Sequence, residues 1–432
     1  MRFRREPNAR SGSPATTVRT VGNVTIAALE RNVPAALHHE MLIALRVHTV
    51  NARTVQLDHM VNARIVQFVP AKSAHHDPLE TLMPRVHSVI AHLVRVLAIE
   101  SSVKIVAARV WSDYDVLLAD LDGVVYEGSA AIKDAPEAIL ALQEQGLPIG
   151  YVTNNSSRKP ETIAAQLAGF GVHCNPQDII SSGKTGVDIL KTLVPAGSKV
   201  LVVGGEGLRA RVIEGGFELV SDSDDKPDAV IQGFAPDVSW RDLAEASFSI
   251  QNGAKWVATN QDWTLPQEKG LAPGNGTLVS AVHTAVGQLP IVAGKPEPAI
   301  FHTAVEHFGA KKALFIGDRI DTDITGANRA KIDSVLVLTG VSTRKEVLGI
   351  KPEGRPTYII GSMSELLKPY KAPKKTKRGY SCDGAEVELL ENKVVVTFGD
   401  PKSLGALRAA CAVIYASELP IYALDVEPAL YE

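Results

Sequence analysis

From Asp115 onward, short apolar runs alternate with stretches whose apolar positions recur at helical spacing, punctuated by Gly and Pro. Asp115–Leu121 reads as a largely apolar strand. Ala135–Gln145 has helical periodicity ending at Gly146, and Leu147–Thr153 is a second strand. Pro160–Gly171 is a helix with Pro in its first turn and Gly at its end. Lys199–Val203, Ala229–Gln232 and Lys255–Ala258 are further short strands separated by helices. Pro298–Phe308 and Ile320–Lys331 are helices around the strand Ala313–Gly317, and Ser334–Leu338 closes the series. The alternation predicts an α/β fold, a doubly wound parallel sheet covered on both faces, with catalytic residues at the carboxyl ends of strands.

The two ends of the chain read differently. After a Lys-rich linker (Lys368, Lys371, Lys374, Lys375, Lys377), Glu386–Phe398, Ser403–Ser417 and Ile421–Val426 read as strands, helix and strand of a small α+β appendage. About 50 residues is marginal for an independent core, so the appendage is expected to pack on the rest of the chain or on another chain. Residues 1–110 lack Gly and Pro punctuation and hold one internal repeat, Val50-Asn-Ala-Arg-Thr-Val-Gln56 against Val61-Asn-Ala-Arg-Ile-Val-Gln67. His87–Glu100 reads as a short amphipathic helix. This segment is expected to be a poorly packing extension or a mis-assigned translation start; the competing reading is a basic arm for a partner.

Composition sharpens that contrast. The whole chain is ordinary for a soluble protein, 45% hydrophobic and 22% charged, with a net charge of −3. Nothing at that scale points to nucleic acid or an anionic membrane, and no window holds the ~18–20 apolar residues of a membrane span. The basic start, Met1–Arg10, has no apolar stretch with a cleavage site after it, so no secretory signal is expected. Cys174, Cys382 and Cys411 are scattered, as reduced thiols of a cytoplasmic protein would be. Residues 1–110, however, carry 14 Lys and Arg against 7 Asp and Glu, a net of +7, whereas the remainder carries −10. They also hold 8 of the 12 His, 2 of the 34 Gly and no Trp or Tyr.

Candidate chemistry lies at the strand ends. Asp120-Leu-Asp-Gly-Val-Val-Tyr126 follows an apolar strand directly. A carboxylate at a strand tip is a competent nucleophile for a phosphoryl group, and a second two residues on can act as acid and base. By itself, Asp-Leu-Asp-Gly suits an ordinary turn equally well. Thr153-Asn154-Asn155 ends the next strand, offering a hydroxyl and amides to phosphate oxygens; Gly294-Lys295-Pro296 supplies an ammonium. Gly317-Asp318-Arg-Ile-Asp-Thr-Asp323 adds carboxylates suited to a hard cation.

The four motifs, in this order and context, resemble those of the haloacid dehalogenase (HAD) superfamily. Asp120 to Thr153 spans 33 residues, too few for a cap after the first motif, whereas Thr153 to Lys295 spans 142. With Thr-Asn-Asn-Ser-Ser-Arg158, that layout is similar to the type IIA (NagD-like, nitrophenyl-phosphatase) family. The resemblance implies a HAD Rossmann-like core at 111–195 and 290–370, an inserted α/β cap at 196–289, and a linker and small C-terminal domain at 371–432. It implies Asp120 as nucleophile and Mg²⁺ ligand, and Asp122 as general acid/base with its carbonyl on the metal. Asp318 becomes the third ligand with Asp323 in support, and Thr153, Asn154, Asn155 and Lys295 hold the phosphate.

The cap segment Thr259-Asn-Gln-Asp262 to Pro273-Gly-Asn-Gly276 is expected to read the leaving group, with Asn260, Asp262 and Asn275 as candidates, although a simple turn and N-cap explains each as well. Relatives that favour pyridoxal phosphate place a His before the proline matching Pro266; here that residue is Leu265. The stretch Trp256–Gly276 resembles the actinobacterial glycerol-3-phosphate phosphatases, which also carry a small C-terminal domain. The resemblance therefore implies hydrolysis of glycerol 3-phosphate, with phosphoglycolate or a broader sugar or nucleotide phosphatase as the alternative. It also implies possible homodimers through the cap. A non-catalytic binding protein on the same fold is the competing class, and the intact Asp120, Asp122 and Asp318 weigh against it.

Overall fold

Val116-Leu-Leu-Ala119 is at most 2% exposed along its length, because alternate side chains enter two separate cores. Leu117 and Ala119 join Leu314, Ile316, Val335 and Val337 beneath the helices Ala135–Glu144 and Pro160–Gly169. Val116 and Leu118 face the other way, joining Phe315, Val152 and the helix Pro298–Phe308. The computed structural model describes residues 110–432 apart from Glu268, together with the short strands Thr20–Val21 and Val24–Thr25. The chain divides into two units, Met1–His92 and Leu93–Glu432. In the first, Thr20–Val21 pairs antiparallel with Val24–Thr25. The internal repeat, the helix expected over His87–Glu100 and the basic-arm reading lie outside the described residues.

The second unit holds three main sheets. The first is parallel and six-stranded, in the order Tyr358–Ile360, Asp333–Val337, Ala313–Gly317, Val116–Ala119, Ile149–Thr153, Ile179–Ser181. The second, also parallel, runs Ile291–Val292, Lys255–Ala258, Ala229–Gln232, Lys199–Val203, Glu218–Val220. It is inserted between Ile179–Ser181 and Ala313–Gly317, and the helix Ser182–Leu193 leads into it. A short antiparallel hairpin, Thr264–Gln267 with Gly270–Pro273, projects from this lobe. The third sheet is built by the C-terminal appendage from Lys374–Lys375, Gly379–Cys382, Ala385–Leu390, Lys393–Phe398 and Asp425–Val426, and packs against the helix Leu404–Ser417. Among the described residues no helix is long and apolar enough to cross a membrane.

Five elements depart from the sequence reading. The helix expected over Ile320–Lys331 is a π-type turn, Ile320–Ile324, followed by the helix Thr325–Arg329. Local polar bonds break it: Asp323 accepts the Arg319 N–H, and the Thr325 hydroxyl donates to the Ile320 carbonyl. Ser334–Leu338 does not close the series, since Tyr358–Ile360 adds an edge strand beyond it. Lys374–Lys375 is no mere linker but a charged edge strand paired with Tyr380–Ser381. The inserted sheet runs on to Val292 rather than ending at 289, and the expected strand Ile421–Val426 shrinks to Asp425–Val426 after a tight turn.

Candidate active site

Three strand ends of the six-stranded sheet converge. Asp120 follows Val116–Ala119 and extends the ladder, its N–H donating to the Ile316 carbonyl at 2.8 Å. Thr153 is the last residue of its strand, and Asp318 follows Ala313–Gly317. Beyond Asp120 the chain reverses, with the N–H groups of Val125 and Tyr126 donating to the Leu121 carbonyl. Gly123 makes that turn at a φ of +79°, and a β-carbon there would collide with the Asp318 carboxylate.

Lys295 enters from the segment leaving the inserted lobe. Its ammonium, 3% exposed, lies 2.7 Å from Asp120 Oδ1 and 2.7 Å from Asp323 Oδ1. Asp120, Asp318 and Asp323 each offer a carboxylate oxygen within 4.8 Å of the others, all three buried. Asp318 Oδ2 accepts the Val341 N–H at 2.7 Å, while Asp318 Oδ1 is buried without a hydrogen-bond partner.

The charges do not balance. Burial pushes Asp120 up to about 6 against the pull of Lys295. Burial also raises Asp318 and Asp323, and repulsion between neighbouring carboxylates adds to it. For Lys295 burial alone would lower the pKa, but Asp120 and Asp323 hold it above its usual value. One ammonium cannot satisfy three buried carboxylates, and the unpartnered Asp318 oxygen has no donor. An all-oxygen, multiply anionic site of this kind fits a hard divalent cation.

The other sequence candidates divide. Asp122 reaches solvent beside this cluster; desolvation in the recess raises its pKa, with Lys295 and Arg158 opposing. Its carboxylate stands outside the three gathered ones, and Asp323, expected only in support, stands among them. The Thr153 hydroxyl oxygen accepts the Asn155 N–H at 3.1 Å, leaving its proton to donate. The side-chain amide of Asn154, expected to face a phosphate, is instead engaged within the protein. Asn154 Oδ1 accepts the Lys295 N–H (2.8 Å), and its Nδ2 donates to the Lys295 carbonyl (3.1 Å) and to Asp262 (3.0 Å). Asn155 Oδ1 accepts from Ser157 and Arg158 and so shapes its own loop.

Two of the three cap candidates are likewise structural. Asn275 is 1% exposed and donates to the carbonyls of Asn260 and Gln232. Asn260 is buried, donates to the Asn154 carbonyl, and accepts the Asp262 N–H. Asp262 also meets Asn154, its carboxylate accepting from the Asn154 side-chain amide at 3.0 Å.

Residues 117–218 match the haloacid dehalogenase-like hydrolases, and residues 292–366 match a second, HAD-hydrolase-like, grouping. Over 254 residues the chain is 42% identical to the D-glycerol 3-phosphate phosphatase of Mycobacterium tuberculosis, a match covering 59% of this chain and 71% of that one. It is 35% identical over 258 residues to the acid sugar phosphatase of Staphylococcus saprophyticus, covering 59% of this chain and 98% of the relative. The crystal structure of glycerol phosphate phosphatase from M. tuberculosis in complex with magnesium is similar with a TM-score of 0.65 and 36% identity, covering 73% of this chain and 93% of that one. The chain belongs to the haloacid dehalogenase-like hydrolases. It is a phosphoric monoester hydrolase of that family.

Sequence reasoning missed several supports of this HAD phosphatase site. Ser182, 0% exposed, donates to the Asn154 carbonyl at 2.6 Å. Thr339 donates to the Gly123 carbonyl at 2.7 Å, and Val341 reaches Asp318 through its backbone. Ser, Thr and Val in a loop carry no chemical signature, and their register against Asp318 exists only once the sheet has formed.

Proposed function

We propose that this phosphatase hydrolyses a small phosphate monoester, glycerol 3-phosphate foremost, through a phospho-aspartate at Asp120. The observation that carries the chemistry is Lys295, 2.7 Å from both Asp120 and Asp323, beside the unpartnered oxygen of Asp318. An Asp120 oxygen attacks phosphorus, the bond from phosphorus to the ester oxygen breaks, and Asp122 gives its proton to the departing alcohol. The raised pKa of Asp122 favours the protonated form that this step needs. Asp122, now a carboxylate, then takes a proton from water as the water oxygen bonds to phosphorus. The bond to Asp120 breaks, releasing inorganic phosphate and restoring the carboxylate. Lys295 offsets charge on Asp120 and on the phosphoryl oxygens, and the Thr153 hydroxyl donates to one of them. Asp120, Asp318 and the Asp122 carbonyl, with Asp323 alongside, would hold Mg²⁺, which supplies charge neutralisation when bound.

The substrate follows from the relatives: the mycobacterial protein is named for D-glycerol 3-phosphate, and Leu265 stands where pyridoxal phosphatases carry His. A sugar phosphate is the second reading, favoured by the match that covers 98% of the staphylococcal acid sugar phosphatase. Phosphate release from purified protein, with and without Mg²⁺, across glycerol 3-phosphate, phosphoglycolate, phosphosugars and pyridoxal phosphate tests both. The highest kcat/KM is expected on glycerol 3-phosphate; a tenfold preference for another ester would displace it, and turnover after exhaustive chelation would remove the metal. Pairing of two chains through the inserted lobe belongs to the same reading, supported by Trp240 and Leu271 at 81% and 75% exposed. Sedimentation velocity would report a dimer or a monomer.

A further inference from the structure

We propose that the C-terminal appendage is a working part of the phosphatase: it braces the loop Thr339–Thr343, and through it Asp318, in position to receive the cation. This rests on the reading of Asp318 as a metal ligand. The loop follows the strand Asp333–Val337, and its first four residues touch Asp318 or its neighbours Gly123 and Ile320. Thr339 donates to the Gly123 carbonyl at 2.7 Å. Gly340 lies so close to Asp318 that a β-carbon would collide with its carboxylate. The Val341 N–H donates to Asp318 Oδ2 at 2.7 Å, and the Ser342 N–H to the Asp318 carbonyl at 3.1 Å. Ser342 Oγ accepts the Ile320 N–H at 3.0 Å. Thr343 then caps the helix Arg344–Leu348 in a reciprocal box with Glu346. The loop holds one oxygen of Asp318 and leaves the other bare.

The appendage grips that helix. Arg344 Nε donates to the Leu430 carbonyl at 2.9 Å, and Nη2 to the carbonyls of Ser403 (3.2 Å) and Pro401 (3.5 Å). These three acceptors come from two separate segments of the appendage. The Tyr415 hydroxyl donates to the Val347 carbonyl at 2.5 Å. Val347, Leu348, Ile320 and Ile324 share one buried cluster with Leu407, Ala410, Ile414 and Leu430. Ile320 is two residues from Asp318, so apolar contact with the appendage reaches the edge of the metal site. A guanidinium presents a fixed fork to diverging carbonyls, which a lysine ammonium matches only in part.

Arg344→Ala and Arg344→Lys in the full chain test the brace. Bound Mn²⁺ is read by electron paramagnetic resonance, alongside the Mg²⁺ concentration that half-saturates turnover. Loss of an outer support of a metal ligand typically weakens affinity ~10-fold or more. Arg344→Ala is therefore expected to weaken Mn²⁺ binding and raise the Mg²⁺ requirement by about that factor, with kcat at saturating Mg²⁺ changing far less. Arg344→Lys should recover part of the loss. Mn²⁺ binding within about twofold of the parent, whether or not the variant melts earlier, would overturn the proposal. If Arg344→Ala does not fold, Tyr415→Phe takes its place, with weaker Mn²⁺ binding expected and parental binding overturning the idea. An Asp318→Asn variant that binds Mn²⁺ as tightly as the parent would instead remove the metal-ligand reading beneath it.

Discussion

As the proposed nucleophile, Asp120 must be an anion, yet it is placed where burial favours its neutral form and pushes its pKa up to about 6. Without metal, the protonated acid is the more comfortable guest of the fold. Its stabilising contribution is full below the ordinary carboxylate pKa of 3.8 and is lost as pH rises through about 6. A bound cation requires deprotonated ligands and reverses that preference. The rise in melting temperature on adding Mg²⁺ should therefore be larger at pH 7.5 than at pH 5; equal increments at both would contradict this account of the site. Asp120→Asn is expected to abolish turnover and leave the circular dichroism spectrum unchanged, since an amide cannot attack phosphorus. More than a few per cent of parental activity would rule out the covalent route. Asn154 offers a subtler case. Both ends of its amide hold the Lys295 backbone, so Asn154→Ala should cost kcat roughly 10²-fold through a misplaced ammonium. A change confined to KM would mean that the side chain binds substrate after all.

At the scale of elements, legibility tracked burial. Lys199–Val203, Ala229–Gln232, Lys255–Ala258 and Ala313–Gly317 were readable to the residue, because a strand buried on both faces must be a short, unbroken apolar run. Pro298–Phe308 was equally plain, with Pro at its start and Gly309 at its end. Ile320–Lys331 misled because its apolar spacing is helical, whereas the break comes from Asp323 turning back to the Arg319 N–H. Periodicity carries no trace of a backbone hydrogen bond. That Asp120, Lys295, Asp318 and Asp323 gather was legible because ionisable groups at or near strand ends are conspicuous; the loop at 339–343 was not, because its contacts are made by N–H groups and by the absence of a side chain. Gly340→Ala tests that last point. The added carbon must displace the Asp318 carboxylate, and activity at limiting Mg²⁺ should fall by about tenfold or more. Parental activity at limiting Mg²⁺ would show that Asp318 tolerates the shift.

Over the whole chain, the +7 segment and the −10 remainder differ in kind, and every candidate site residue lies in the second. The family match begins at residue 117, and the phosphatase closes its amino-terminal edge with residues of its own. Trp111 is 3% exposed, edge-on to Tyr358 at 5.1 Å and to Tyr370 at 6.1 Å. The Tyr114 hydroxyl donates to Asp333 at 2.7 Å, and Asp115 accepts the N–H groups of Lys311 and Lys312. These contacts seal the first strand against the sheet from residue 111 onward. A chain starting just before Trp111 should therefore fold and keep kcat/KM within a few-fold of the full-length protein. The rival expectation is electrostatic: a basic segment drawn to an acidic body would shade the site, and truncation would raise activity most at low salt, where such attraction is least screened. Measuring kcat/KM for both proteins at low and moderate salt separates the two. Equal values at both ionic strengths assign the activity to residues 111–432 alone; an insoluble truncation, or a salt-dependent gap of more than a few-fold, would make the basic segment part of the working enzyme.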